Sequence, residues 1–199
     1  FPYTTLFRSV DQLIDYLKTN SDIKVIYPIK ELLKQKEVHP VYFKLDTHWS
    51  YMGAYFSYLE LMKVIQKDFN DIYIFKPQTY NYVEYFGDLN NTLPDILRIK
   101  TSIEYASPVM DLSNISCSVP VFEKDIVNCK NNTQSKNILI FRDSFSNTQI
   151  PYLASSFKNA MFIWQYDIMP DAMKDADIIL LEIAEITLPS LVDSRLEEN

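Results

Sequence analysis

Glycine is nearly missing from this 199-residue chain. It occurs twice, at Gly53 and Gly87, where about 14 would match the ~7% usage of ordinary proteins. Two isolated glycines cannot form a glycine-rich loop that cradles a phosphate, so nucleotide-binding motifs of that kind are excluded. Histidine and cysteine are scarce too, with two of each. They do not cluster at metal-ligand spacing, which argues against a metal enzyme. Positive charge is in deficit: a net charge of −7 and a pI near 4.8 give no basic footprint for nucleic acid. No apolar run approaches the ~20 residues that cross a bilayer. Internal repeats and low-complexity tracts are absent as well. What is present is a hydrophobic fraction of 47% in a length that suits one domain with a sizeable core. The aromatic share of 14% suits a carbohydrate groove and an AT-rich gene equally, and decides nothing.

The first nine residues, Phe1-Pro2-Tyr3-Thr4-Thr5-Leu6-Phe7-Arg8-Ser9, translate back codon by codon to TTT CCC TAC ACG ACG CTC TTC CGA TCT, the tail of a common sequencing-library adapter. Native sequence is therefore expected to start near Val10, as one N-terminally truncated domain over residues 10–199. On that reading, the lack of a signal peptide or anchor carries no information.

From Val10 to Thr19, apolar residues at Val10, Leu13, Ile14 and Leu17 make a helical stripe. Ile23–Tyr27 reads as a strand ended by Pro28, and Ile29–Lys36 as a short helix. Val41–Lys44 reads as a strand. Ser50–Phe69 is the strongest helix, with Met52, Tyr55, Phe56, Leu59, Met62 and Ile65 on one face and Ser50 as its cap. Asp71–Phe75 is β-like, and 76–136 reads as inserted short strands and loops. Asn137–Phe141, Ala160–Trp164 and Asp177–Glu182 read as strands, joined by helices that start near Phe145 and Met169. Strands alternating with helices predict a three-layer α/β/α domain with a mostly parallel sheet.

Three residues carry the chemistry. Asp46 and His48 lie two apart, just after the apolar stretch Val41-Tyr42-Phe43; on a strand they would point the same way. Ser144 follows the run Asn137–Phe141 at a strand-to-helix turn, where free backbone N–H groups can receive an oxyanion. All three fall just past predicted strand ends, where open sheets of this kind bind ligands. Ser144 is then a nucleophile, His48 its base, and Asp46 the group that fixes the imidazole tautomer. Each has a plainer reading taken alone: Asp46 and Ser144 as helix caps, His48 as a half-buried polar residue. It is the set of three, placed at strand ends, that favours catalysis. Arg142 is a candidate to hold a substrate carboxylate or to pair with Asp143. Trp49 is read as packing beside the imidazole, with sugar stacking as the alternative. Asp143 is read as structural and His39 as a surface loop residue. For Cys117 and Cys129, with eleven residues between them, a hairpin bridge and two free thiols are left equally open.

The string Asp46-Thr47-His48-Trp49 with Gly53-Ala54 downstream, then Asp143-Ser144-Phe145, resembles the alginate O-acetyltransferase family. Its members have an SGNH-hydrolase-like domain and include the so-called DHHW proteins. The Asp-x-His block ahead of the serine block matches the acetyltransferase branch, and the resemblance runs from about Val41 to Leu188. Arg142 departs from it, standing where many relatives have Gly. The resemblance implies transfer of acetyl groups to an exported polysaccharide through an acyl-enzyme, without a cofactor. It also implies a membrane-bound acyltransferase partner as acetyl donor and a periplasmic or other extracytoplasmic location. A Gly87-Asp88-Leu89 loop near the site belongs to the same pattern, with the Gly87 N–H as an oxyanion donor beside that of Ser144. A carbohydrate acetylesterase and a non-catalytic polysaccharide-binding or scaffold module are the alternatives. Gly53 is expected to let its helix approach the serine-bearing strand closely.

Overall fold

The computed structural model describes residues 9–98, 102–118, 126–166 and 169–192; the stretch Phe1–Arg8 lies outside them. In chain order the elements are α1 (Ser9–Asn20), α2 (Ile29–Gln35), α3 (Tyr51–Ile65), β1 (Tyr80–Tyr85), β2 (Ile103–Pro108), β3 (Ile115–Cys117), β4 (Ile126–Asn131), β5 (Asn137–Phe141), α4 (Ile150–Ser156), β6 (Asn159–Ile163), α5 (Pro170–Met173) and β7 (Ile178–Leu181). Strands β1 and β2 form an antiparallel hairpin, and the other five form one sheet in the order β3-β4-β6-β5-β7.

β5 is the strand that sets the site. Ile138, Leu139, Ile140 and Phe141 are all essentially buried, as a strand covered on both faces requires. Ile138 and Ile140 point into the larger core with Met52, Met62, Leu153 and Phe162. Leu139 and Phe141 point into a smaller one with Ile163, against Ala172 and Met173. Helices thus cover both faces, thickly on the side of α3 and α4 and thinly on the side of α5.

The sheet is mixed rather than mostly parallel. β5 runs parallel to β6 and β7, because α4 and α5 supply the crossovers that parallel neighbours need. β4 runs antiparallel to β6, and β3 to β4, since they enter from the inserted region as a hairpin. Cys117 and Cys129 stand directly opposite each other in that hairpin and are joined by a disulfide, so of the two readings left open the bridge is the one observed.

Three expected strands do not form. Ile23–Tyr27 and Asp71–Phe75 have no ladder; Ile26, Ile72 and Phe75 instead pack on the larger core from irregular backbone. Val41–Lys44 makes a single bridge, Tyr42 to Trp49. There the chain doubles back on itself at once, through Leu45 with a left-handed φ of 53°, and leaves no length for a ladder.

Gly53 explains how that doubled segment is held. Ser50 caps α3, its side chain accepting from the Gly53 N–H at 3.2 Å. A Cβ on Gly53 would fall 2.0 Å from the Val41 carbonyl oxygen. The close approach is therefore between α3 and the Val41 segment, not between α3 and the serine-bearing strand. Among the described residues no helix is long and apolar enough to cross a membrane.

Candidate active site

Asp46 and His48 lie in the tight loop between Phe43 and Trp49, closed by Phe43 N–H to His48 O (3.2 Å) and Ser50 N–H to Val41 O (2.9 Å). They face the same way without a strand. Asp46 Oδ1 accepts from the His48 backbone N–H at 2.8 Å, a side-chain turn typical of Asp, and the same oxygen meets His48 Nδ1 at 2.8 Å. The other ring nitrogen, Nε2, lies 2.7 Å from Ser144 Oγ. With the Nδ1 proton donated to the carboxylate, Nε2 is left as the acceptor for the serine hydroxyl. The three sequence candidates thus form one continuous chain of hydrogen bonds.

Ser144 opens a 3-10 turn, Ser144–Thr148, that leads into α4. The leading N–H groups of such a turn have no acceptor within it. Asp143 Oδ1 takes the Phe145 N–H at 2.8 Å, so Asp143 caps the turn, as expected of a structural residue. The Asp46 side chain is fully enclosed, while the His48 ring keeps a quarter of its surface open. Ser144 is half-buried, so the nucleophile is reachable from solvent.

Sequence reasoning missed what surrounds Asp46. Its second oxygen, Oδ2, accepts from the Tyr85 hydroxyl at 2.9 Å and the Asp88 N–H at 3.0 Å. Burial works to raise the carboxyl's pKa, but the hydrogen bonds from Asp88, His48 and Tyr85 outweigh it, and Asp46 titrates below its ordinary value. Tyr85 titrates well above its own, through burial first and then the bond to Asp46; it stays a donor. The Tyr85 ring stacks on Phe43 at 3.9 Å, and the Tyr105 hydroxyl oxygen accepts from the Lys44 N–H at 2.7 Å. The β1–β2 hairpin is therefore a brace for the loop that holds the acid and the base. Tyr85→Phe is expected to lower kcat/KM for an activated acetyl ester about tenfold with little change in melting. A hydrogen bond to a charged group is worth about 1.5–3 kcal/mol, and the Asp88 N–H remains. Steady-state kinetics equal to those of the wild type would show that Asp46 does not need this donor.

The remaining candidates take other places. Trp49 is buried, and its indole N–H donates to Phe145 O and Thr148 Oγ1, both at 2.8 Å; it ties the histidine loop to the serine turn and offers no sugar-stacking face. Arg142 is buried as well, so it does not reach out for a substrate carboxylate. Its guanidinium donates to Asp143 O (3.1 Å) and Asn147 Oδ1 (2.7 Å) and sits 4.7 Å over the Trp164 ring. Gly87 is pressed against the loop backbone, where a Cβ would lie 2.0 Å from Leu45 O. His39 is half-buried beside Phe56, 5.7 Å between ring centroids, away from the triad's bonds. Asp46, His48 and Asp88 place potential metal donors within 4.8 Å of one another. Asp46 Oδ1 and Oδ2 and the His48 ring nitrogens are all engaged in the bonds just described, so an ion there would displace the triad's own contacts.

Residues 5–109, just over half of the chain, match the family model of the SGNH hydrolase-like domain of the acetyltransferase AlgX. The match takes in Asp46, His48 and Gly87 and ends before Ser144. A search of curated proteins finds no match. Among solved structures the chain is similar to a DHHW family protein from Eubacterium siraeum, with a TM-score of 0.68 at 15% identity, covering 95% of this chain and 75% of that one. It is similar to Bacillus cereus PatB1, with a TM-score of 0.62 at 19% identity over 89% of this chain and 74% of that one; PatB1 has also been solved with a sulfonyl adduct. The O-acetyltransferase domain of Pseudomonas putida AlgJ gives a TM-score of 0.60 at 17% identity, over 90% of this chain and 65% of that one. At these identities the likeness is one of fold.

Proposed function

This chain belongs to the family of SGNH hydrolase-like domains typified by the acetyltransferase AlgX, and from that premise we propose that it is a serine O-acetyltransferase that modifies an exported polysaccharide. The observation that carries the reading is the continuous bond chain Asp46–His48–Ser144, with contacts of 2.8 and 2.7 Å. Catalytic hydrogen bonds fall near 2.6–3.2 Å.

In the first half-reaction Ser144 Oγ attacks the acetyl carbonyl while His48 Nε2 takes its proton. Asp46 stabilises the imidazolium that forms. The carbonyl oxygen becomes an oxyanion, received by the Ser144 N–H; a donor of this kind is worth about 3–4 kcal/mol. Collapse expels the donor's alcohol or thiol, protonated by His48, and leaves an acetyl ester on Ser144. In the second half-reaction His48 deprotonates a sugar hydroxyl, which attacks that ester, and the proton returns to Ser144 Oγ. Water in place of the sugar would make the same machinery an esterase.

The acetyl donor would be a membrane-bound acyltransferase partner, and the location extracytoplasmic. The Cys117–Cys129 disulfide supports export, because such bonds persist outside the reducing cytosol. The test is to incubate the protein with an activated acetyl ester and defined oligosaccharides, and to weigh the sugars by mass spectrometry. One acetyl increment on the oligosaccharide, lost in Ser144→Ala, is expected. Acetate release at one rate with and without the sugar would instead mark a hydrolase. Saturable sugar binding with no acetyl chemistry would mark a binding module.

A further inference from the structure

Beneath the nucleophile turn lies a pair of carboxyls, Asp143 and Glu182, that the mechanism does not use. Glu182 follows β7, and its backbone N–H donates to Phe141 O at 2.8 Å, which fixes it beside the end of β5. Its carboxyl turns inward under the 3-10 turn. Oε2 accepts the Ser146 hydroxyl at 2.8 Å and the Asp143 N–H at 3.3 Å, so it grips the residues on both sides of Ser144. Ser146 and Asp143 are themselves buried.

Both carboxyl oxygens of Asp143 are already engaged as acceptors. Besides Phe145 N–H on Oδ1, its Oδ2 accepts from Ala184 N–H (2.7 Å), Thr187 Oγ1 (3.0 Å) and the Tyr166 hydroxyl (3.2 Å). A second buried negative charge beside it would meet direct repulsion. Among the described residues, the charged and titratable groups that face Glu182 are Asp143 and Arg142 from the turn after β5 and Tyr166 from the loop after β6. Arg142 does not neutralise the pair by a direct bond: its guanidinium donates to Asp143 O and Asn147, lies over Trp164, and keeps its Nε without a partner.

We propose that Glu182 is the positioning residue of the nucleophile turn, holding Ser144 in register for His48 by accepting from Ser146 and from the Asp143 backbone, and that it does so as a neutral carboxyl. Burial first, and the charge of Asp143 next, push its pKa up to about 8, so the proton stays on at neutral pH. Above that value Glu182 ionises; the two bonds that it accepts favour the charged form, but repulsion from Asp143 drives the carboxylate away from the serine turn.

The experiment compares wild type, Glu182→Gln and Glu182→Ala. A carboxamide oxygen can accept the same two bonds but never ionises. In the wild type kcat/KM for an activated acetyl ester is expected to fall several-fold as pH rises from about 7.5 to about 9. Glu182→Gln should retain most of the neutral-pH rate and lose that fall; Glu182→Ala should lose about tenfold or more at every pH, with kcat rather than KM carrying the loss. This arm rests on Ser144 being the nucleophile.

A second arm does not. An acid whose folded pKa is raised stabilises fully below its unfolded pKa, and that stability is lost as pH rises through the folded one. The window here runs from about 4.5 to about 8. The wild-type melting temperature should therefore fall relative to that of Glu182→Gln across this window and run parallel above it. Melting curves parallel throughout, an alkaline fall kept by Glu182→Gln, or wild-type kinetics in Glu182→Ala would each overturn the proposal.

Discussion

Ser144→Ala is expected to lower turnover of an activated acetyl ester by about a thousandfold or more, since loss of the nucleophile in such a triad removes most of its catalysis. Folding should be unaffected. The side chain is half-buried and its one bond within the triad is to His48 Nε2; the turn it sits on is held instead by Asp143, Trp49 and Glu182. Surface-reaching substitutions without a packing role usually move stability by less than ~0.5 kcal/mol. Adding His48→Ala to Ser144→Ala should cost nothing further, because the two groups act as a unit. Wild-type turnover in Ser144→Ala, measured on a protein with a wild-type melting curve, would remove the serine from the mechanism.

Gly87→Ala is expected to cost both stability and activity, and the reason is space alone. Gly87 has φ −63° and ψ 143°, a conformation any residue adopts. Yet its Cβ would fall 2.0 Å from Leu45 O, 2.4 Å from Leu45 C and 2.4 Å from Lys44 O. These are backbone atoms and cannot swing aside. Either the hairpin end lifts off or the loop carrying Asp46 and His48 moves, and Asp88 N–H loses its hold on Asp46 Oδ2 at the same time. Overpacking of this kind costs about 1–3 kcal/mol and sometimes more, while a small displacement of a catalytic group can cost about a hundredfold in rate. Gly53→Ala, 2.0 Å from Val41 O, should be similarly destabilising. Denaturant titration and the ester assay together check this; Gly87→Ala with unchanged stability and turnover would show that the loop is not held from this side.

The residues of the triad were legible in the sequence because each sits next to a strong local signal. The apolar run Asn137–Phe141 does become an inner strand of the sheet, and Ser144 does stand at the turn that follows it. Asp46 and His48 were found for a reason that proved incomplete: the stretch before them is not a strand, and their shared direction comes from Asp46 accepting the His48 N–H. Apolar periodicity over four or five residues cannot tell a ladder from an extended segment with no partner, and the same limit produced the strands expected at 23–27 and 71–75. Sheet direction was lost similarly, because the hairpin of β3 and β4 enters from a region with no long pattern. Tyr85 and Glu182 were not legible at all. Tyr85 lies 39 residues from Asp46 and Glu182 lies 36 from Ser146, and each is one of many residues of its kind. Arg142 was noticed for its chemistry, but burial gives it structural work, whereas Trp49 takes the packing place read for it.

Trapping the acyl-enzyme tests the central claim most directly. The wild-type protein is mixed with an activated acetyl ester, quenched in acid within the first turnovers, and digested for peptide mass spectrometry. One acetyl increment on the peptide that contains Ser144, located at Ser144 by fragmentation and absent from both Ser144→Ala and His48→Ala, is the predicted result. Turnover with no acetylated peptide, or with the acetyl group on another residue, would contradict it.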